Sequence, residues 1–373
     1  MNTESITNNS PSKFEPLKDN LKALDGLRGL SAIYVLVHHA RLALTQPYFN
    51  GLSKHPEQYQ WYDRIMVYFF SLFKFGHEAV IIFFVLSGFL IHFRYAGAQN
   101  IFADFKLSQY LKKRLIRIYP TLIVSFIVCY LTDLLILAIT GDSYPLSQYS
   151  LSRFLFNFFL VPESPFWGSN YPVWSLKHEW FFYLMYPLLL WSYHKQRILP
   201  LLLSLGLFVT YLFGYRIDYI GAAAYSISIW LLGAIMAAIY KQNERLFNYI
   251  PVLIVFFLAY PLIARINSNY PWLDLCFGLI TTGFVALMII RNKSMLARIL
   301  SSLAWLGTFS YSLYLLHFPI LLLFKSLAIY YAKNKELPYH LWYVTGSIII
   351  IIPFVYLIYY YSERIALTYK KSI

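Results

Sequence analysis

The stretch 24-LDGLRGLSAIYVLVHHA-40 decides the fold. It opens as a polar turn around Asp25 and Gly26, then becomes an Ile, Val and Leu run of membrane-span density. That run carries an arginine, Arg28, at one end and two histidines, His38 and His39, at the other. Ionisable groups inside a membrane span are expensive unless they face a partner or a polar cavity. The first hydrophobic segment therefore predicts both a bilayer and a polar interior.

The rest of the chain agrees. Of 373 residues, 59% are hydrophobic and only 13% charged, with mean hydropathy +0.53. A soluble domain of this length would carry about a quarter charged residues. Long apolar runs satisfy their backbone hydrogen bonds in lipid only as helices, and no alternating barrel-strand pattern is present. The expected fold is all-α and polytopic, with about ten transmembrane helices. They are drawn at 27–44, 65–93, 118–139, 172–193, 198–213, 220–240, 249–265, 272–290, 303–327 and 341–361. The segment 151–160 is too short to cross and reads as re-entrant or interfacial. The polar start has no apolar core of its own, so it is not a cleavable signal peptide. Residues 1–23 read as a disordered cytoplasmic tail and 362–373 as a second cytoplasmic tail. One membrane domain, 24–361, lies between them.

The net charge of +14 would suggest a nucleic-acid partner in a soluble protein. Here the drawn topology explains it. With both termini in the cytoplasm, inner segments hold more than twice as many Lys and Arg as outer ones. Nucleic-acid binding is set aside and the lipid bilayer is the expected surrounding. Trp and Tyr near span ends (Trp61, Trp174, Trp272, Trp342) form the interfacial belt. Cys129 and Cys276 show neither metal spacing nor a disulfide framework. No internal repeat, Gly-rich phosphate loop, zinc pattern or serine elbow is visible, and no metal is expected.

Arg28 and His39 are eleven positions apart. At 100° per residue they fall within about 20° of one another, some 16 Å apart along the axis. His38 falls about 80° away. A cation near the inner surface and an imidazole deep on the same face suit a substrate with an anionic tail and a reactive end. Asp25, three residues before Arg28, can orient it.

Four further segments carry candidate groups. In 110-YLKKRLIRIYP-120, an inner loop, Lys113, Arg114 and Arg117 form a basic cluster suited to phosphate, and Arg114 and Arg117 share a face if helical. In 172-PVWSLKHEWFFYLMYP-187, Glu179 lies about 10 Å below the outer end and His39 about 8 Å below its own, so the two can share a depth. In 75-FGHEAVIIFFVLSGFLIHF-93, His77 and Glu78 are ionisable, while Ser87 and Gly88 are small enough for close helix contact. In 310-SYSLYLLHFP-319, His317 can reach the outer half of a cavity or serve as a structural histidine.

Together these segments resemble the integral-membrane acyltransferase-3 family. "LDGLRGLSAIYVLVHH" matches its arginine, ten residues, histidine motif through Arg28 and His39. "FFVLSGFLI" at 83–91, "KKRLIRIYP" at 112–120, "VWSLKHEWFFYLMYP" at 173–187 and "SYSLYLLHFPI" at 310–320 follow in the family's order. The resemblance implies acyl-CoA, most often acetyl-CoA, as a donor substrate and no permanently bound cofactor. It implies a cell-envelope polysaccharide or lipid-linked sugar as acceptor, and a bacterial inner membrane as location. Some members add a C-terminal hydrolase-like domain; a stand-alone membrane domain is expected here.

On this reading His39 is the general base or a transient acyl carrier, suited by an imidazole pKa near about 6.5. Glu179 orients or charge-balances it, or binds the acceptor. Arg28, Arg114, Arg117 and Lys113 hold the CoA phosphates. His38, Asp25, Ser87 and His317 are candidates for acceptor binding or support. One alternative is a transporter or flippase for an anionic metabolite or lipid-linked sugar. Another is a scaffold in which buried polar groups only hold helices together.

Overall fold

The computed structural model describes residues 17–48, 50–96, 104–266, 270–332 and 336–371. No strand occurs among them. The main helices are α1 (Leu17–Leu44), α2 (Trp61–Ser71), α3 (Gly76–Phe93), α4 (Leu107–Thr140), α5 (Leu151–Phe158), α6 (Val173–Lys195) and α7 (Leu199–Leu212). They continue as α8 (Ala223–Gln242), α9 (Phe256–Ile266), α10 (Tyr270–Ile290), α11 (Met295–Ser302), α12 (Ala304–Tyr331), α13 (Trp342–Tyr361) and α14 (Glu363–Lys371). The chain is an all-α polytopic membrane protein. Seven helical segments among the described residues are long and apolar enough to cross a bilayer. Helices α1 and α6 have the length, at 28 and 23 residues, but carry many of the ionisable groups. Helix α7, at 14 residues, is shorter than the roughly 20 a straight crossing needs. Each of the ten drawn spans overlaps a helix.

Four local readings change. The segment around Asp25 and Gly26 is not a turn: helix α1 already begins at Leu17. Residues 1–16 of the expected N-terminal tail lie outside the described residues. The long second span is two helices, broken between Ser71 and Gly76. Side chains of α1 satisfy the break. The Tyr34 hydroxyl donates to the Leu72 carbonyl at 2.6 Å, and His38 Nδ1 donates to the Phe73 carbonyl at 2.8 Å. Backbone can depart from helix at membrane depth when protein groups replace the lost bonds.

The basic segment 110–117 is not a loop but the first part of α4, which runs through Pro120 without ending. The 362–373 tail contains α14, which packs back against α4 and places Glu363 in the interior, 1% exposed.

Helices α1 and α12 pack along most of their lengths and run in the same direction. Arg28 meets Gly307, and His39, eleven residues on, meets His317. Glycine makes the approach possible. A Cβ on Gly29 would lie 2.4 Å from Leu306 Cβ and 2.6 Å from the Gly307 nitrogen. The same device joins α3 to α8, where a Cβ on Gly88 would stand 1.9 Å from the Trp230 carbonyl oxygen. Small residues let membrane helices gain van der Waals contact that lipid would otherwise supply. One apolar cluster gathers Phe89, Phe182, Trp230 and Val285. A second gathers Leu36, Phe309, Leu316 and Ile351.

Candidate active site

Two chambers lie end to end inside the bundle. The first, about 280 Å³, is lined by Arg28, Arg94, Arg114 and Arg117, with Glu179 the one acidic residue among the described residues on its wall. The second, about 450 Å³, is lined by His38, His39 and His77 together with Tyr171, Trp174 and Lys325. They meet at Val80 of α3 and Tyr314 of α12, which line both.

The arginine chamber is built on helix spacing. Arg114 and Arg117, three apart on α4, project to one side, as the sequence predicted. Arg114 lies over the rings of Tyr110 and Tyr183, at 5.4 and 5.2 Å, and its buried Nε has no protein partner. Arg117 Nη1 is held by Glu363 Oε1 at 2.7 Å, and the same carboxylate accepts from Ser312 Oγ at 2.6 Å. Arg28 donates from Nη2 to the Gly307 carbonyl at 2.7 Å and from Nε to Ser310 Oγ at 3.2 Å. Asp25 pairs with it at 3.0 Å, which fits the orienting role expected of Asp25. Lys113 does not line the chamber; one residue before Arg114, it is turned about 100° away on α4. Arg94, at the end of α3, lines it instead. Arg94 lies between the second and third drawn spans, where no motif singles it out.

Glu179 belongs to this chamber and not to the histidines. Its Oε1 accepts from Ser87 Oγ at 2.9 Å and from the Tyr183 hydroxyl. Ser87 in turn accepts from Trp230 Nε1 at 3.3 Å. The expectation that Glu179 orients or charge-balances the His39 imidazole is therefore corrected. Equal depth in two helices did not mean adjacency, because Glu179 faces α3 and its neighbour Tyr183. Ser87 is thus a hydrogen-bonding residue, while Gly88 beside it serves packing.

In the histidine chamber, His39 is oriented by another histidine. His39 Nδ1 lies 2.7 Å from His317 Nε2, with the rings stacked at 5.1 Å and 11°. His317 is fully buried, and its Nδ1 lies 2.9 Å from the Leu313 carbonyl. A carbonyl only accepts, so His317 Nδ1 carries the proton and neutral His317 keeps Nε2 as an acceptor. His39 must then donate from Nδ1. Its Nε2 is left with a lone pair, the state a general base or nucleophile requires.

His38 shares the chamber but spends Nδ1–H on Phe73, bracing the α2–α3 break. His77 Nε2 lies 2.8 Å from Asp274 Oδ1, and Asp274 Oδ2 accepts from the Tyr225 hydroxyl at 2.8 Å. This imidazole–carboxylate pair was not foreseen. Asp274 stands almost two hundred positions from His77, and no spacing rule links them.

Comparison with known proteins identifies the family of the chain. Residues 21–360 match the family of the acyltransferase domain. The peptidoglycan O-acetyltransferase OatA of Listeria monocytogenes is 24% identical over 337 residues, covering 81% of this chain and 49% of that protein. A putative O-acetyltransferase of Staphylococcus aureus strain COL is 24% identical over 377 residues, covering 89% of this chain and 55% of that protein. The chain thus spans about half the length of these relatives. No solved structure matches it. The chain belongs to the acyltransferase family whose domain covers residues 21–360.

Proposed function

We propose that this member of the acyltransferase family is an O-acetyltransferase of the cell inner membrane. It moves an acyl group from acyl-CoA, entering at the arginine chamber, to a hydroxyl of a cell-envelope glycan or lipid-linked sugar held in the histidine chamber. The observation that carries the reading is the end-to-end pairing of the chambers along one face of α1. Arg28 stands in the first and His39 in the second, about 16 Å apart along the helix.

A CoA donor is anionic at one end and reactive at the other. Arginine guanidiniums suit its phosphates. Arg114, with an unpartnered Nε, is the group best prepared to receive one. The thioester then extends toward His39. As the acceptor oxygen attacks the thioester carbon, His39 Nε2 removes the hydroxyl proton. The C–S bond breaks, and the proton passes to the departing CoA thiolate. His317 accepts from Nδ1–H throughout and supports the imidazolium that forms. An acyl-imidazole route would use the same Nε2 as nucleophile. The orientation of both termini toward the cytoplasm, where CoA resides, rests on the excess of Lys and Arg in the inner segments.

Relatives named as O-acetyltransferases, one of them for peptidoglycan, point the acceptor search to amino-sugar glycans. The test is mass spectrometry of N-acetylglucosamine oligomers and peptidoglycan fragments after incubation with the purified chain and acetyl-CoA. A gain of one acetyl per acceptor supports the proposal. Movement of an acceptor across vesicles without covalent change supports a transporter.

A further inference from the structure

The two chambers share their wall at one place. Among the described residues, Val80 and Tyr314 are the two side chains on both walls. Four helices order their lining residues the same way around it. On α3, Gly76 and His77 face the histidine chamber, and Ser87 and Arg94 the arginine chamber. On α12 the order is Phe318 and Leu322 against Ser310 and Tyr311. The corresponding positions of α1 and α6 are His39 against Arg28 and Trp174 against Glu179. The chambers are therefore consecutive along these helices, and a path from one to the other would have its neck at Val80 and Tyr314.

Both neck residues are stiff. Val80 is β-branched, 4% exposed, and has little rotamer freedom in a helix. Tyr314 is 7% exposed, and its hydroxyl is held by Ser175 Oγ at 2.7 Å. Phe83 and His317 flank its ring, with centroids at 5.8 and 6.0 Å. Neither side chain can swing aside without losing these contacts.

We infer that Val80 and Tyr314 select the acyl group by size, passing acetyl and resisting longer chains. The inference rests on the donor reading above: an acyl group presented from the arginine chamber must cross the neck to meet His39. Each added methylene at a rigid apolar constriction is worth on the order of tenfold or more in discrimination.

The test needs no acceptor. Binding of free CoA, acetyl-CoA and butyryl-CoA is measured on the full chain in detergent. The proteins compared are wild type, Val80→Ala, Val80→Ile and, as a second opened neck, Tyr314→Leu. Free CoA, which carries no acyl group to place at the neck, is the reference in each protein, and the acetyl-CoA to butyryl-CoA ratio is read within that protein, so that any common change in CoA affinity cancels. Wild type should bind acetyl-CoA about tenfold or more tightly than butyryl-CoA. That ratio should fall toward one in Val80→Ala and Tyr314→Leu, and rise in Val80→Ile. Wild type that binds CoA but does not discriminate, or a ratio unmoved in both opened variants, overturns the neck. A wild type that binds no CoA contradicts the donor reading, and the inference falls with it.

Discussion

His39 Nδ1 lies 2.7 Å from His317 Nε2, and His317 Nδ1 donates to the Leu313 carbonyl. A backbone carbonyl thereby fixes the tautomers of two imidazoles in series. In a hydrolase triad the same place is taken by a carboxylate. Here the orienting group is a neutral imidazole, so no carboxylate contacts His39 Nδ1.

Removing the acceptor that orients His39 should slow chemistry and leave donor binding intact. His317→Ala is expected to lower kcat about 10²-fold, within the range general-base catalysis supplies. His317→Gln, whose side-chain carbonyl can accept from His39 Nδ1, should recover part of the loss. Equal losses in both variants, or a matching loss of CoA affinity, would assign His317 a packing role.

Arg114→Ala should weaken CoA binding about tenfold or more, the worth of one hydrogen bond to a charged group. Its sensitivity to salt should fall as well. Lys113→Ala, outside the chamber, should change the dissociation constant less than about twofold. Titration of both variants with CoA across ionic strengths checks this, and a larger effect at Lys113 would contradict the lining described here.

Glu363 already pairs with Arg117 Nη1 and would compete with a phosphate for its charge. Glu363→Gln retains the contact with Ser312 but removes the competing charge. CoA affinity should rise severalfold while thermal stability falls, because breaking a buried pair costs about 3–5 kcal/mol when one charge is left alone. A calorimetric scan and a CoA titration on the same sample separate the two effects. A fall in CoA affinity would show that α14 supports the donor site and does not compete for it.

The motif segments were legible because each is local. Helical arithmetic put Arg28 and His39 on one face, and both bond to α12. It also paired Arg114 with Arg117 on one side of α4. The relations that sequence did not yield are long-range. His39 to His317, His77 to Asp274 and Arg117 to Glu363 each join segments roughly two hundred or more positions apart. Glu179 shows the limit most clearly. Depth follows from counting residues along a helix, but the neighbour it faces depends on how helices rotate against each other. The break before Gly76 was hidden because Leu72 to Phe75 is as apolar as its flanks, apart from Lys74. Only the hydroxyl of Tyr34 and the ring of His38 reveal that the backbone there is not helical.

Gly29 tests the packing on which both chambers depend. Gly29→Val would drive methyl groups into Leu306 and the Gly307 backbone. Overpacking typically costs about 1–3 kcal/mol or more. Thermal unfolding in detergent should fall by several degrees, and Arg28 should lose its bond to Gly307, with weaker CoA binding as the sign. An unchanged unfolding temperature would mean that α1 and α12 are not in the close contact described.

The most direct test of the account is CoA release by the purified chain given acetyl-CoA and amino-sugar oligomers, with wild type beside His39→Ala. The account predicts steady release by wild type and loss of about 10²-fold or more in the variant. CoA binding and folding should be preserved. Full turnover in a folded His39→Ala protein would contradict it.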